Sequence, residues 1–463
     1  MSHPQPNIIF ITTDHMRHDN IAANHNPVMH TPVLDRLAAE GVSMDQLFVQ
    51  SPTCMPSRAS IWTGRYTQNH RVTCNGIALR KSETTLAHAL ARAGYQTANV
   101  GKLHFQPHSG FDIDHTRNAD RYAGYGYEQN LLSDEPGCYP DAYIQWLQWH
   151  APEHLESCKV PGPKGPRGHF DHWVHPAPES CTHPAWITRQ TCDFIQRWRK
   201  TDRPFFLSVG YYAPHPPLNP PRQYVDLYDP DDIALPLLAE DQQNNPRYKA
   251  HSEREWREMK RMFYAMVSHV DDCVGRLLQT LSDAGLDRDT IVVFTSDHGD
   301  SLGDYGRLGK GPHNHDAVTR VPCVVRYPAG LPAGRRVAAL QESIDLFPTL
   351  CGLSGAAVPD GVKGRDQQAL WRGQTEIGRD DVLTEHRDQP ARRSVKTLRT
   401  ERLKYFRHHD GREELFDMTA EHGDARDVAA IPEYAADLDR MRQRLLDRLI
   451  AAEDDLPPRT HPY

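Results

Sequence analysis

Long hydrophobic runs are scarce in this chain of 463 residues. The apolar stretch Asn7 to Thr13 falls far short of the roughly 20 residues a membrane-spanning helix needs. Met1 to Pro6 ahead of it carries no basic leader of the kind that opens a secretory signal. The expectation is a protein without a membrane segment, residing in the cytoplasm. An excess of positive charge is also missing. The chain has 53 Lys and Arg against 61 Asp and Glu, a net charge of −8, which gives no reason to expect nucleic acid or an anionic membrane as partner. Cysteine spacing is without pattern: nine cysteines, an odd number, scattered along the chain, do not make a disulfide framework and suit a reducing compartment. Internal repeats and low-complexity tracts are absent, which excludes solenoid and fibrous architectures. What remains is a globular composition, 38% hydrophobic and 25% charged, with a length that allows about two to four domains.

Strands and helices alternate over most of the chain. Asn7 to Thr13 reads as a strand buried on both faces, ending in Asp14-His15. Thr31-Pro32 opens a helix that Gly41 stops, and Leu47 to Gln50 is a strand leading towards Cys54. Thr85 to Ala93 is a short helix, followed by a strand, Tyr95 to Val100, that delivers Gly101-Lys102-Leu103-His104. After a helix from Trp186 to Lys200, the strand Pro204 to Tyr212 ends in Ala213-Pro214-His215. Glu253 to Ala284 has the spacing of a long amphipathic helix, on which His269 reads as a core histidine. Thr290 to Thr295 delivers Ser296-Asp297-His298-Gly299, with Lys310 beyond.

This is α/β: a large mixed sheet flanked by helices over residues 1–374, with an irregular lid or pocket insertion at about 111–184. Four short strands and a helix after about Gln374 predict a C-terminal α+β subdomain over 375–463, built on an antiparallel sheet.

Residues Cys54-Met55-Pro56-Ser57-Arg58, followed by Thr63-Gly64-Arg65, read as a cysteine at the N-terminus of a short helix. Such a position favours anions, and Arg58 one turn on carries donors suited to oxyanions. Three readings of Cys54 stand side by side. It is a buried inert thiol; or a phosphatase-type nucleophile, for which Met-Pro-Ser lacks the usual glycine-rich cradle; or, because Cys-x-Pro-Ser-Arg with Thr-Gly-Arg resembles the type I sulfatase signature, the precursor of formylglycine. Asp14 and Asp297 supply hard oxygens and His298 an imidazole, a competent set for a divalent cation.

Further motifs extend the resemblance from about Pro6 to Val428: Asn75, Gly101-Lys102-Leu103-His104, Ala213-Pro214-His215, Asp297-His298-Gly299-Asp300, Lys310, Arg320-Val-Pro322, Ile344 to Pro348, and Leu403-Lys-Tyr405 with Glu414 to Asp417. Together they are similar to the sulfatase and phosphonate monoester hydrolase branch of the alkaline phosphatase superfamily. The resemblance implies one divalent ion, Ca²⁺ or Mn²⁺, held by Asp14, Asp297, His298 and the modified Cys54. It implies that Arg58 steadies the nucleophile and that Lys102 and Lys310 hold the non-bridging oxygens, with Asn75 and His215 also in the substrate site. His215 is the expected general acid and His104 the base that releases product. A formylglycine-generating enzyme is the implied maturation partner.

The expected activity is hydrolysis of aryl or small alkyl sulfate esters. Its rivals are a phosphonate monoester or phosphodiester hydrolase with the same site, and a choline sulfatase whose aromatics between Tyr122 and Trp149 cage the ammonium. A non-enzymatic binding protein is the rival from another class, against which Cys54, His104, His215 and Lys310 argue. The Asp14-His15 and Asp297-His298 pairs depart from the Asp-Asp and Asp-Asn of many sulfatases, leaving a role for His15 on the metal open, as is a homo-oligomer.

Overall fold

The computed structural model describes residues 5–107, 124–136, 140–159, 169–238, 242, 244–388, 393–421 and 423–454. Its strands are β1 (Asn7–Thr13), β2 (Val42–Met44), β3 (Leu47–Phe48), β4 (Gln96–Gly101) and β5 (Gln129–Leu132). There follow β6 (Phe205–Gly210), β7 (Thr290–Ser296), β8 (Arg320–Val321), β9 (Cys323–Arg326), β10 (Arg335–Val337) and β11 (Gln341–Glu342). The last four are β12 (Val382–Arg387), β13 (Ser394–Arg399), β14 (Leu403–His408) and β15 (Glu413–Asp417). Eight of them form one sheet in the order β10-β2-β9-β7-β1-β6-β4-β5. It is parallel from β7 through β5, while β9 runs antiparallel to β2 and β7, so the sheet is mixed, as the sequence predicts.

Alternation along β1 explains why both faces are covered. Ile9 and Ile11 point into a core formed with the helices His183–Trp198 and Glu253–Asp283; Ile8 and Phe10 point into a second core with Cys54–Thr63, Leu86–Arg92 and Leu346–Ser354. The long helix opens with a capping box between Ser252 and Glu255, and Gly285 beyond its end has φ +69°. Its Asp271 reaches across to accept the N–H groups of Val33 and Leu34 at 3.1 and 2.7 Å, capping the helix Pro32–Glu40, whose own Thr31 makes no side-chain cap. His269 is a satisfied core histidine, its Nε2 2.9 Å from Glu179 Oε1.

Three differences from the sequence-based expectation have physical reasons. The stretch 111–184 is not wholly irregular, since β5 adds to the sheet edge and Ala142–His150 is a helix capped by Asp141. Gly and Pro around these elements mask their periodicity. The strands β2 and β10 were too short to carry any period. The aromatics that the rival choline sulfatase reading would make a cage are dispersed: Tyr125 is in the core, Tyr127 accepts from Trp62 Nε1, Trp146 stacks on His150, and Trp149 is 83% exposed. Tyr122 lies outside the described residues.

The four-stranded sheet β12-β13-β14-β15 is antiparallel, as expected. It is joined through buried charge to β11, which belongs with β3 and β8 to a separate three-stranded sheet. Arg379 pairs with Glu342 (2.9 Å) and with Asp345 (Nε to Oδ2, 2.8 Å), while Tyr66 donates to Glu342 and Arg448 contacts both. The Glu385 N–H donates to Gln50 O (2.9 Å) and Thr384 Oγ1 to Val49 O (2.7 Å), so β12 holds the segment that leads into Cys54. Every described cysteine is a free thiol, and no helix among the described residues is long and apolar enough to cross a membrane.

Candidate active site

Parallel strands deliver their next residues to one edge of the sheet. Asp14 follows β1, Lys102 follows β4, Asp297 follows β7, and the turn after β6 leads to His215. The strand ends sit close together: Gly101 has φ +88°, and a Cβ there would lie 2.3 Å from Gly210 O, while one on Gly210 would lie 2.0 Å from Lys102 O. Only glycine allows that approach. Cys54 is itself the first residue of the helix Cys54–Thr63, so Pro56 occupies the third helical position instead of the first. Its missing N–H is still among the four that lack an intrahelical acceptor. Met55 N–H is taken by Asn75 Oδ1 at 3.0 Å, and Gly64 closes the helix at φ +65°.

The predicted residues converge on Cys54 Sγ. Lys310 Nζ lies 2.5 Å away, His298 Nε2 3.2 Å and Asp14 Oδ1 3.6 Å. Lys102 Nζ is 2.5 Å from Asp14 Oδ2, and His104 adds a side-chain hydrogen bond to the sulfur. Asp14, Cys54, Arg58, Asp297 and His298 are all fully buried or within 1% of it. Arg58 turns towards the acids and the strand ends, with Nε donating to Asp297 Oδ2 (2.7 Å) and Nη1 to Lys102 O (3.0 Å). It therefore steadies a carboxylate and the sheet edge, and touches Cys54 only through them. Burial alone would raise the Cys54 thiol, but Lys310, Lys102 and His298 together hold it well below the usual thiol range.

Two unpartnered atoms test whether a cation fits. Asp297 Oδ1 and His15 Nε2 are buried and have no hydrogen-bond partner among the described residues. Burial, only partly offset by Arg58, pushes Asp297 above the usual carboxylate range, the mark of a charge awaiting a counter-ion. His298 Nδ1–H donates to Gly299 O (2.8 Å), so Nε2 is the nitrogen turned towards Asp14 Oδ1 (3.4 Å) and Asp297 Oδ1 (3.7 Å). One ligand atom each from Asp14, His15, Cys54 and His298 lies within 4.8 Å of the others. The donor set fits a divalent ion.

Sequence reasoning missed three supporting residues. Asp300 Oδ2 accepts from both His15 Nδ1 and His169 Nε2 at 2.6 Å, and its Oδ1 accepts from Leu302 and Gly309 N–H. Asp300 stood inside a quoted motif without a role, and nothing local marks His169. Asp134 accepts the N–H groups of Leu103 and His104 at 2.7 and 2.8 Å, holding His104 in the left-handed region at φ +56°. A lone Asp gives no such signal.

Residues 6–356 match the family described as Sulfatase, and residues 303–451 match N-sulphoglucosamine sulphohydrolase, C-terminal. An arylsulfatase of Clostridium perfringens (strain 13 / Type A) is 28% identical over 480 residues, spanning 97% of this chain and 95% of its own. A multifunctional alkaline phosphatase superfamily protein, PehA, of Trinickia caryophylli is 28% identical, spanning 93% of this chain and 92% of its own. Among solved structures, the phosphonate monoester hydrolase of Agrobacterium radiobacter superposes with a TM-score of 0.83 at 26% identity, covering 97% of this chain and 96% of that one. On the family match and on these near end-to-end likenesses, the chain belongs to the sulfatase family of the alkaline phosphatase superfamily.

Proposed function

We propose that this protein hydrolyses sulfate monoesters, aryl or small alkyl, at a formylglycine made from Cys54. The observation that carries the reading is the convergence of Lys310, His298 and Asp14 on one buried sulfur. Residue 54 as formylglycine supplies a geminal diol, with one hydroxyl to attack and a second whose deprotonation expels the product, which a serine lacks. Asp14, Asp297, His298 and residue 54 would hold a divalent ion, with His15 Nε2 as a further ligand. When bound, that ion polarises the ester oxygen and acidifies the attacking hydroxyl.

The chain's own groups supply the rest of a barrier reduction on the order of 20 kcal/mol. Lys102 and Lys310, both held protonated by the buried acids around them, meet the charge that develops on the non-bridging oxygens. Asn75 positions the start of the Cys54 helix. His104 is the base at the second hydroxyl. His215 donates Nδ1–H to Pro216 O (2.6 Å), and burial followed by the nearby His15 holds its pKa well below the ordinary value. It is neutral in the free enzyme and takes up the proton it gives to the leaving oxygen when the anionic ester arrives, an effect of about 10²–10⁴ in rate.

A second reading, phosphonate monoester or phosphodiester hydrolysis at the same site, is favoured by the TM-score of 0.83 and by the Asp297-His298 pair. The deciding experiment combines intact-mass analysis of residue 54 in matured protein with kcat/KM on matched sulfate and phosphonate esters. Conversion of the thiol with a preference for sulfate is expected. An unconverted thiol in fully active protein overturns the mechanism, and a preference for phosphonate overturns the substrate.

A further inference from the structure

A cleft of about 990 Å³ lies against the four-stranded sheet, between the helix Thr67–His70 with the residues after it and the strands β12 and β13. Two short links in the chain connect its lining to residues of the Cys54 site. Thr73 on its wall stands two residues before Asn75, which holds Met55 N–H. His386 packs against Gly311, where a Cβ would lie 2.8 Å from the imidazole Cε1, and Gly311 follows Lys310.

The lining has a definite chemistry. His386 is 6% exposed, and both of its ring nitrogens are buried without a hydrogen-bond partner among the described residues. Burial lowers its pKa, so the ring is neutral and offers one donor and one acceptor. Arg71 and Arg387 stand at the cleft, and neither makes an ion pair or side-chain hydrogen bond among the described residues. Lys396 adds a third cation, paired with the cleft acid Glu385, which also accepts from Thr67 Oγ1. Two exposed, uncompensated guanidiniums and an unsatisfied imidazole lining one cleft, in a chain of net charge −8, are a local reversal of sign. The volume is at the upper end of small-molecule sites, well beyond what a simple aryl sulfate fills.

We propose that this cleft receives the alcohol portion of the ester and binds a second anionic group carried on it, a sulfate or a carboxylate, through Arg71 and Arg387, while His386 meets a hydroxyl. The substrate class is then an ester whose alcohol portion carries hydroxyls and at least one further negative charge. This rests on the ester-hydrolase reading and narrows it, and the same two arginines disfavour a quaternary ammonium such as choline.

The test separates binding from turnover. Calorimetric titration of Cys54→Ala protein with a disulfated hexosamine disaccharide and its monosulfated counterpart should give at least tenfold tighter binding of the former. Adding Arg71→Ala and Arg387→Ala should erase that advantage, and higher salt should shrink it. Equal affinity for the two sugars, or an advantage that survives both arginine substitutions, overturns the proposal. Arg71→Ala/Arg387→Ala protein with Cys54 intact should keep wild-type kcat on 4-nitrophenyl sulfate. If wild-type enzyme turns over no sulfate ester, the sulfatase reading fails, and the binding comparison still decides what the cleft takes.

Discussion

His15 Nδ1 lies 2.6 Å from Asp300 Oδ2, and that single contact decides what the other nitrogen of His15 can do. Burial alone would raise Asp300, but the charge of His169 and the hydrogen bonds from both imidazoles hold it well below the usual carboxylate range. An ionised carboxylate only accepts, so His15 carries a proton on Nδ1, and Nε2 is the nitrogen left to face the metal-type ligands. The backbone of His15 supports this by adopting φ +71°, uncommon for a residue with a Cβ.

Substituting Asp300 by Asn should therefore weaken Mn²⁺ binding by about 10–100-fold without removing any ligand, because the ring loses its orientation and tautomer. Nitrogen modulations in the pulsed EPR spectrum of the Mn²⁺ protein should report two imidazoles in the wild type and one in His15→Ala. An identical spectrum and an unchanged affinity would show that His15 stands clear of the ion.

Cys54→Ser should trap a covalently sulfated or phosphorylated enzyme, seen as added mass after incubation with substrate, whereas Cys54→Ala should carry no adduct and have no turnover. The serine hydroxyl can attack once but has no second hydroxyl to expel the product. A Cys54→Ala protein of wild-type activity would refute the scheme.

His215→Ala should lose about 10²–10⁴ in kcat/KM on esters of poor leaving groups and far less on 4-nitrophenyl sulfate, whose leaving oxygen needs no proton. The measurement is the slope of log kcat/KM against leaving-group pKa, which should steepen in the variant. Equal losses across the series would assign His215 to binding alone.

Asp141 gives a pH test away from the chemistry. Burial raises its carboxyl to about 7, although it accepts from Ser133 Oγ (2.6 Å) and Ile144 N–H (2.8 Å) at the start of the helix Ala142–His150. The folded state binds this proton more tightly than the unfolded chain, whose aspartate titrates near 3.9, so this residue's contribution falls as pH rises from about 4 to 7 and is flat above. Asn caps a helix as well as Asp does and has no proton to lose. Asp141→Asn should melt close to wild type at pH 4 and at higher temperature than wild type at pH 8. A difference in Tm that does not change with pH would contradict this.

Much of the scaffold was legible because its signals are local. The apolar run at Asn7–Thr13 coincides with β1, and Ser252 with Glu255 marks the start of the long helix. The metal-type ligands stood immediately after apolar strands, where a parallel sheet gathers such positions on one edge. Short strands such as β2, and Asp271 capping a helix distant in sequence, leave no periodic trace and escaped notice.

The sequence alone determined which groups could meet at one sheet edge, because Cys54, the acids, the lysines and the histidines each occupy a position set by the strand or helix they end or begin. Which nitrogen of His15 faces the metal-type ligands, what Arg58 holds, and that His386 packs against Gly311 were decided only by tertiary structure. Those facts depend on atoms brought together from opposite ends of the chain, His15 against Asp300 and His386 against Gly311, and no local pattern encodes the meeting of two distant segments.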